Sequence, residues 1–455
     1  MNLSPDPAEK ESRMNEEPTA RKVTRSDLLK VGGLGIVALA GGGSLAAVAR
    51  GGSSGAQSHI NPLNNVIRRL ASTDGFISLP GRPEPMDLYV FGFVEHAAGT
   101  TTQIVQATKG NARVPSPILA VDEYQDTTPS APGYKKAFVI SLTNVGFVGR
   151  PDLDDSHTIH WHGFRDAIPA FDGTPELSFA AGVNRTLPYA YVPRHPGTYI
   201  YHCHFEDSEH VQMGMTGVVF IRPKLGPKYA YNDASTLFDR EFSLLLNEVD
   251  ARPHDGLIGV QEFVWSEYRP QYWIINGRSY PDTIKPNKGE VYANPLSIDA
   301  DPNLVNQPVS SLIQVRGGDK VLLRIPNLGY EQHSMVLPGI TMKVIGEDAT
   351  LLRGPLGADL SYETNTLYIG PGETRDVLFT APAFAAGSAS GSSPYGPWNT
   401  YFLKNRNYDR QSNNGLPGLG GMVTEVRVFN PANPPASLLP AQGPNDLNKT
   451  YETYA

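Results

Sequence analysis

Along most of this chain, apolar residues come in short runs that either alternate with polar ones or continue unbroken, each closed by Gly, Pro, Asn or Asp. Such runs are the mark of β-strands rather than of helices, which would repeat every three to four positions. Residues 87–94, 117–121, 137–142, 199–204 and 217–221 read as strands, with a turn at 171–176 and a boundary at 223–231. Together they predict one β-sandwich over 76–224. The pattern continues at 272–276, 320–325, 366–369 and 377–379, so a second sandwich is expected over 225–430.

The second half repeats the first. The segment from His333 through Val336 and Pro338 to Ile340 can be laid on the one from His157 through His160 and His162 to Phe164. In the same order, Thr400 to Arg406 falls on Thr198 to His204, and Gly421-Met422 falls on Gly214-Met215. A shared frame with matching separations is the signature of an internal duplication. The Gly/Ser stretch 385–397 reads as a loop, and residues 431–455 as a Pro-rich tail.

Composition supports this all-β reading. With 455 residues the chain is too long for one ordinary core, and its 45 Gly and 39 Pro are dispersed, as in turn-rich β structure. A net charge of -8 removes the electrostatic case for nucleic acid or an anionic membrane. Residues 1–49 read as an export signal: Arg21, Lys22, Arg25 and Lys30 precede a mildly apolar run closed by Ala47-Val48-Ala49. The stretch Thr24 to Lys30 resembles a twin-arginine (Tat) signal, with Ser26 where the second arginine would stand. The protein is therefore expected outside the cytoplasm, in the periplasm, at the cell surface or secreted, with no membrane contact beyond an N-terminal anchor. Residues 50–75 read as a linker.

Cys203 is the only cysteine, so an exported chain cannot use it for an internal disulfide, and an idle thiol is a liability in an oxidising compartment. Its neighbours suggest a different use. On a strand, His202 and His204 point one way and Cys203 the other, so one segment can serve two metal sites. Cys203, His210, Met215 and His157 make the ligand set of a blue copper centre, since thiolate, thioether and imidazole all suit copper. His160 and His162 likewise share a face, so four imidazoles can converge at a second site. Asp166 and Asp172 follow the first histidine pair and are candidates for proton relay, while Glu206, Asp207 and Glu209 flank the Cys-His loop.

These motifs, His157-Thr-Ile-His160-Trp-His162-Gly163 and His202-Cys203-His204 running on to His210 and Met215, resemble the multicopper oxidase family, which includes laccases and is related to copper nitrite reductases. The resemblance implies two cupredoxin-like Greek-key domains and copper as cofactor. It assigns His157, Cys203, His210 and Met215 to a type 1 copper, His160 to a type 2 copper, and His162, His202 and His204 to type 3 copper. It also implies a homotrimer, by analogy with related two-domain proteins. The chain departs from the family in its second half, where Val336, Pro338, Lys404 and Arg406 stand in place of four histidines and Asn405 in place of cysteine. Only His254 and His333 follow His210, so this chain does not supply the eight histidines of a trinuclear cluster.

Two readings remain open: a copper oxidoreductase passing single electrons from a type 1 copper to a second, His-lined copper, or a non-catalytic blue-copper electron-transfer or copper-binding protein. Neither fixes the electron donor or acceptor. A third, a binding scaffold with vestigial sites, is opposed by the retained ligands.

Overall fold

The computed structural model describes residues 65–83, 87–131, 133–285, 304–393 and 396–432, all within one compact unit covering residues 59–455. The export-signal segment and most of the C-terminal tail lie outside the described residues. Among the described residues, no helix is long and apolar enough to cross a membrane.

The first half holds eight strands in two four-stranded sheets. One is ordered β2 (Asp87–Glu95), β1 (Val66–Ser78), β4 (Phe138–Asn144), β6 (Thr186–Tyr191); the other β3 (Leu119–Asp122), β8 (Thr216–Arg222), β7 (Gly197–His202), β5 (His160–His162). In each sheet one pair is parallel, β1 with β4 and β3 with β8. Non-consecutive neighbours of this kind need chain crossovers between sheets, as in Greek-key sandwiches. Leu70, Phe91, Phe138 and Ile140 of the first sheet share one core cluster with Trp161, Tyr201 and Val219 of the second. Cys203 and Met215 belong to that same cluster, so the sole thiol is part of the core. Two short helices interrupt the strands, α1 (Thr101–Thr108) and α2 (Asp207–Gln212).

The second half adds β9 (Arg240–Ser243), β10 (Leu246–Val249), helix α3 (Ala251–Ile258), β11 (Tyr272–Ile275), β12 (Ile313–Arg316), β13 (Lys320–Pro326), β14 (His333–Val336), β15 (Met342–Glu347), β16 (Thr350–Leu351), β17 (Tyr362–Thr364), β18 (Thr366–Ile369), β19 (Thr374–Thr380), β20 (Gly391–Ser393), β21 (Gly396–Asn405) and β22 (Val423–Phe429). Its two large sheets run β12-β22-β21-β14-β18 and β16-β15-β19-β13-β9, and enclose a separate core. The all-β, cupredoxin-type architecture expected from the sequence is present.

Two expectations need correction. Residues 66–75 are not linker: they belong to β1, the longest strand, paired to both β2 and β4. The Arg68-Arg69 pair hid the strand pattern, yet Arg68 is buried because its guanidinium grips Glu95 across the sheet, at 2.5 and 2.8 Å. A charge can occupy a buried strand position when it is paired in this way. Likewise the 385–397 stretch is not all loop. Gly391–Ser393 forms β20 against the start of β21, an arrangement that Gly and Ser do not advertise by hydrophobic pattern.

Candidate metal centre

His157 lies outside the strands but is held by a two-way backbone bridge to Ala181, at 3.0 and 2.8 Å. Cys203 follows immediately on the end of β7, and His210 comes from α2, a helix the strand pattern did not foretell. The structure brings the three together: Cys203 Sγ lies 3.6 Å from His157 Nδ1 and 3.3 Å from His210 Nδ1, all fully buried. The backbone N–H of Thr158 also points at Sγ, 3.5 Å away. Met215, fully buried in the same core cluster, is tied in by its backbone. Cys203 N–H donates to its carbonyl at 3.2 Å, and its own N–H donates to His210 O at 3.0 Å. The loop is thus closed on itself. Stacked Phe91 and Phe147, 4.2 Å apart, lie against His210 and His157 and shut out water.

Electrostatics differ between the two imidazoles. Burial, then the neighbouring His210, holds His157 well below the ordinary histidine pKa. Burial also disfavours the His210 cation, but Cys203 and the Asp155 carboxylate, 3.6 Å from His210 Nε2, outweigh it, and its pKa is pushed up to about 10. No local motif announces the contact of Asp155 with His210, which arises from the fold.

The second cluster forms on the neighbouring strands, where β5 pairs antiparallel with β7 and His160 stands opposite His202. His162 Nε2 is 3.0 Å from His202 Nε2. Each of the three rings has its Nδ1 against a backbone carbonyl: His160 on Asp172 O at 2.6 Å, His162 on Gly372 O at 3.1 Å, His202 on Cys203 O at 2.8 Å. A carbonyl only accepts, so each Nδ1 carries the proton and each Nε2 offers a lone pair. One donor atom from each of the three rings lies within 4.8 Å of the others, an arrangement that could hold a metal ion. Burial, first among the causes, lowers the pKa of all three and keeps them neutral.

His204 stands beside this trio, its ring 4.9 Å from that of His160 and 5.4 Å from that of His202, but its donor atoms do not join the group formed by the other three. Asp172 lines the same cavity of about 610 Å3, its carboxylate 3.7 Å from His160 Nδ1. Asp166 does not line it and faces His195 instead, at 3.8 Å. The second half contributes Asp348, Gly372 and Thr374 to the cavity wall, contacts that no local motif could announce. Gly372 has φ +77°, and a Cβ there would meet His162 Nδ1 at 2.9 Å, so only glycine lets its carbonyl approach the ring.

The repeat in the second half is preserved in register and emptied of ligands. Val336 pairs with Lys404 as His160 pairs with His202. Asn405 Nδ2 lies 3.1 Å from His333 Nδ1 and 3.4 Å from Met422 Sδ, reproducing the Cys-His-Met arrangement with an amide in place of the thiol. Arg410 also reaches His333 Nδ1, at 3.2 Å, while His333 Nε2 donates to the buried carboxylate of Glu248 at 3.1 Å. A guanidinium now stands where a cation would have to bind.

Comparison with known proteins agrees with this geometry. The multicopper oxidase family profile matches residues 139–226, which span both histidine motifs. Laccase-5 of Arabidopsis thaliana is 25% identical over 261 residues, covering 56% of this chain and 37% of that protein. Laccase-7 of Oryza sativa subsp. japonica is 26% identical over 235 residues, covering 50% and 35%. The chain thus matches little more than a third of the length of these relatives. The solved blue copper oxidase from Nitrosomonas europaea shares the fold, with a TM-score of 0.56, 21% identity and coverage of 80% of this chain and 86% of that one. Such relatives imply copper as the cofactor, a metal that the thiolate and imidazole donors found here suit. The profile match across both histidine motifs and the laccase relatives support the multicopper oxidase family, and the solved neighbour shares its fold across both sandwiches.

Proposed function

We propose that this protein is an exported copper-dependent oxidoreductase in which His157, Cys203, His210 and Met215 hold a type 1 copper, and His160, His162 and His202, with His204 beside them, hold a second copper. The observation that carries this reading is the convergence of donor atoms from His160, His162 and His202 within 4.8 Å of one another, with His202 one peptide away from the buried thiol. Copper bound at both places supplies one-electron redox chemistry. The chain's own residues orient the donors, through the carbonyls of Asp172, Gly372 and Cys203, and exclude water, through Phe91 and Phe147. Between the sites the covalent path is the His202-Cys203 backbone. Asp172, on the cavity wall beside His160, is the better placed of the two aspartates for moving a proton.

Reduction of dioxygen at a full trinuclear cluster is not proposed, since Val336, Pro338, Lys404 and Arg406 supply none of the four further imidazoles. That deficit favours a second reading, a non-catalytic electron-transfer or copper-binding protein. Neither reading fixes the electron donor or acceptor, and a homotrimer is part of the proposal by family analogy. The test is single-turnover oxidation of the fully reduced, copper-loaded protein with nitrite and, separately, dioxygen. The oxidoreductase reading expects the blue colour to return with one acceptor in the wild type and not in His162→Ala. Equal rates in both proteins would favour the electron-transfer reading.

A further inference from the structure

The loop that carries His210 and Met215 rests on the second half of the chain across a small cavity. It is lined by residues of the loop, including Gln212, Gly214 and Thr216, and by Asn247, Glu248 and His254 from the other side. The space open to the centre of a water-sized sphere is about 20 Å3. On that measure a single water needs about 10–15 Å3.

Three of the lining residues carry a buried polar atom with no hydrogen-bond partner: Gln212 Oε1, Thr216 Oγ1 and His254 Nε2. All three residues are at most 6% exposed. Their protonation is fixed by what the other end of each group does. Gln212 Nε2 donates to Glu248 O at 3.0 Å, so Oε1 is the free acceptor. His254 Nδ1 lies 2.6 Å from Tyr89 O and must carry the proton, leaving a lone pair on Nε2. The Thr216 hydroxyl can donate. The cavity therefore offers two acceptors and one donor.

We propose that this cavity is a buried water site, in which one water donates to Gln212 Oε1 and His254 Nε2 and accepts from Thr216 Oγ1. Water has two hydrogens to give and lone pairs to receive, so it satisfies all three atoms at once, the usual number of bonds for a buried water. A cation would meet the lone pairs but lacks a counter-charge, because the Glu248 carboxylate already accepts from His333 Nε2, Glu331 N, Tyr330 N and Tyr268 OH. Gln212 and Thr216 bracket the stretch that leads to Met215, and His254 belongs to α3. The water thus fastens the metal-binding loop to the second half of the chain, a positioning role independent of any metal bound at Cys203.

The test is a high-resolution crystal structure of the full copper-loaded chain, with anomalous data at the copper and zinc edges, together with oxygen-17 water relaxation on wild type and Thr216→Val. The expected result is one density peak about 2.7–3.2 Å from each of the three atoms, with no anomalous signal. In solution, Thr216→Val should lose one long-lived water relative to wild type. An anomalous peak, an empty cavity, or an unchanged count of long-lived waters in a folded Thr216→Val would each overturn the proposal.

Discussion

His162 Nε2 stands 3.0 Å from His202 Nε2, and neither nitrogen has a proton to share, because both δ nitrogens give theirs to carbonyls. Two lone pairs at that distance repel unless a cation lies between them. Substituting His162 by Ala should therefore remove one copper per chain and leave the type 1 absorption unchanged, since His162 touches none of the Cys203 set. Metal analysis with visible spectroscopy checks this. Unchanged copper content would remove the second site from the account.

Cys203→Ser should abolish the blue absorption and the type 1 EPR signal. The apo protein should still fold, destabilised by no more than about 2 kcal/mol, because Cys203 is one small buried member of a large core cluster. Chemical denaturation of the apo variant measures this. A variant that cannot fold would show that the thiol is a structural requirement rather than a ligand.

Restoring the missing cysteine should not restore a copper site. In Asn405→Cys, Arg410 still donates towards His333 Nδ1, and Ser412 stands seven residues on, where the first half has His210. No second type 1 signal is expected on copper loading. Its appearance would contradict the view that the guanidinium has replaced the metal.

Stability should fall in mild acid through His254. Burial, the largest cause, lowers its pKa to about 4 from an ordinary value of 6.5. Between those values the unfolded chain binds a proton that the folded chain refuses, so the stabilisation is whole above pH 6.5 and declines as pH drops towards 4. At about 1.4 kcal/mol per unit, the loss approaches about 3 kcal/mol. In His254→Gln the slope of stability against pH across this window should be smaller. An identical slope would mean that His254 is not the group responsible.

The sandwich strands were legible because alternation and turn residues mark them directly. The strand register of the duplication was legible too: Val336 faces Lys404 as the alignment of the two halves requires. What the sequence concealed lay in two kinds of place. β1 was hidden because Arg68 satisfies a buried position only through Glu95, a partner 27 residues away. At the candidate centre, histidine spacing revealed the donors but not what holds them. Gly372 O and Asp348 come from far along the chain, and Asp155 meets His210 from a segment 55 residues upstream that carries no motif. The departure of His204 from the trio was equally hidden, because β7 ends at His202 and strict alternation ends with it.

The most direct test is the copper content of the loaded protein, measured alongside its EPR spectrum. Two coppers per chain, one with a type 1 and one with a type 2 signal, is the result predicted here. A single copper with only a type 1 signal would contradict the second site and leave a blue-copper electron carrier.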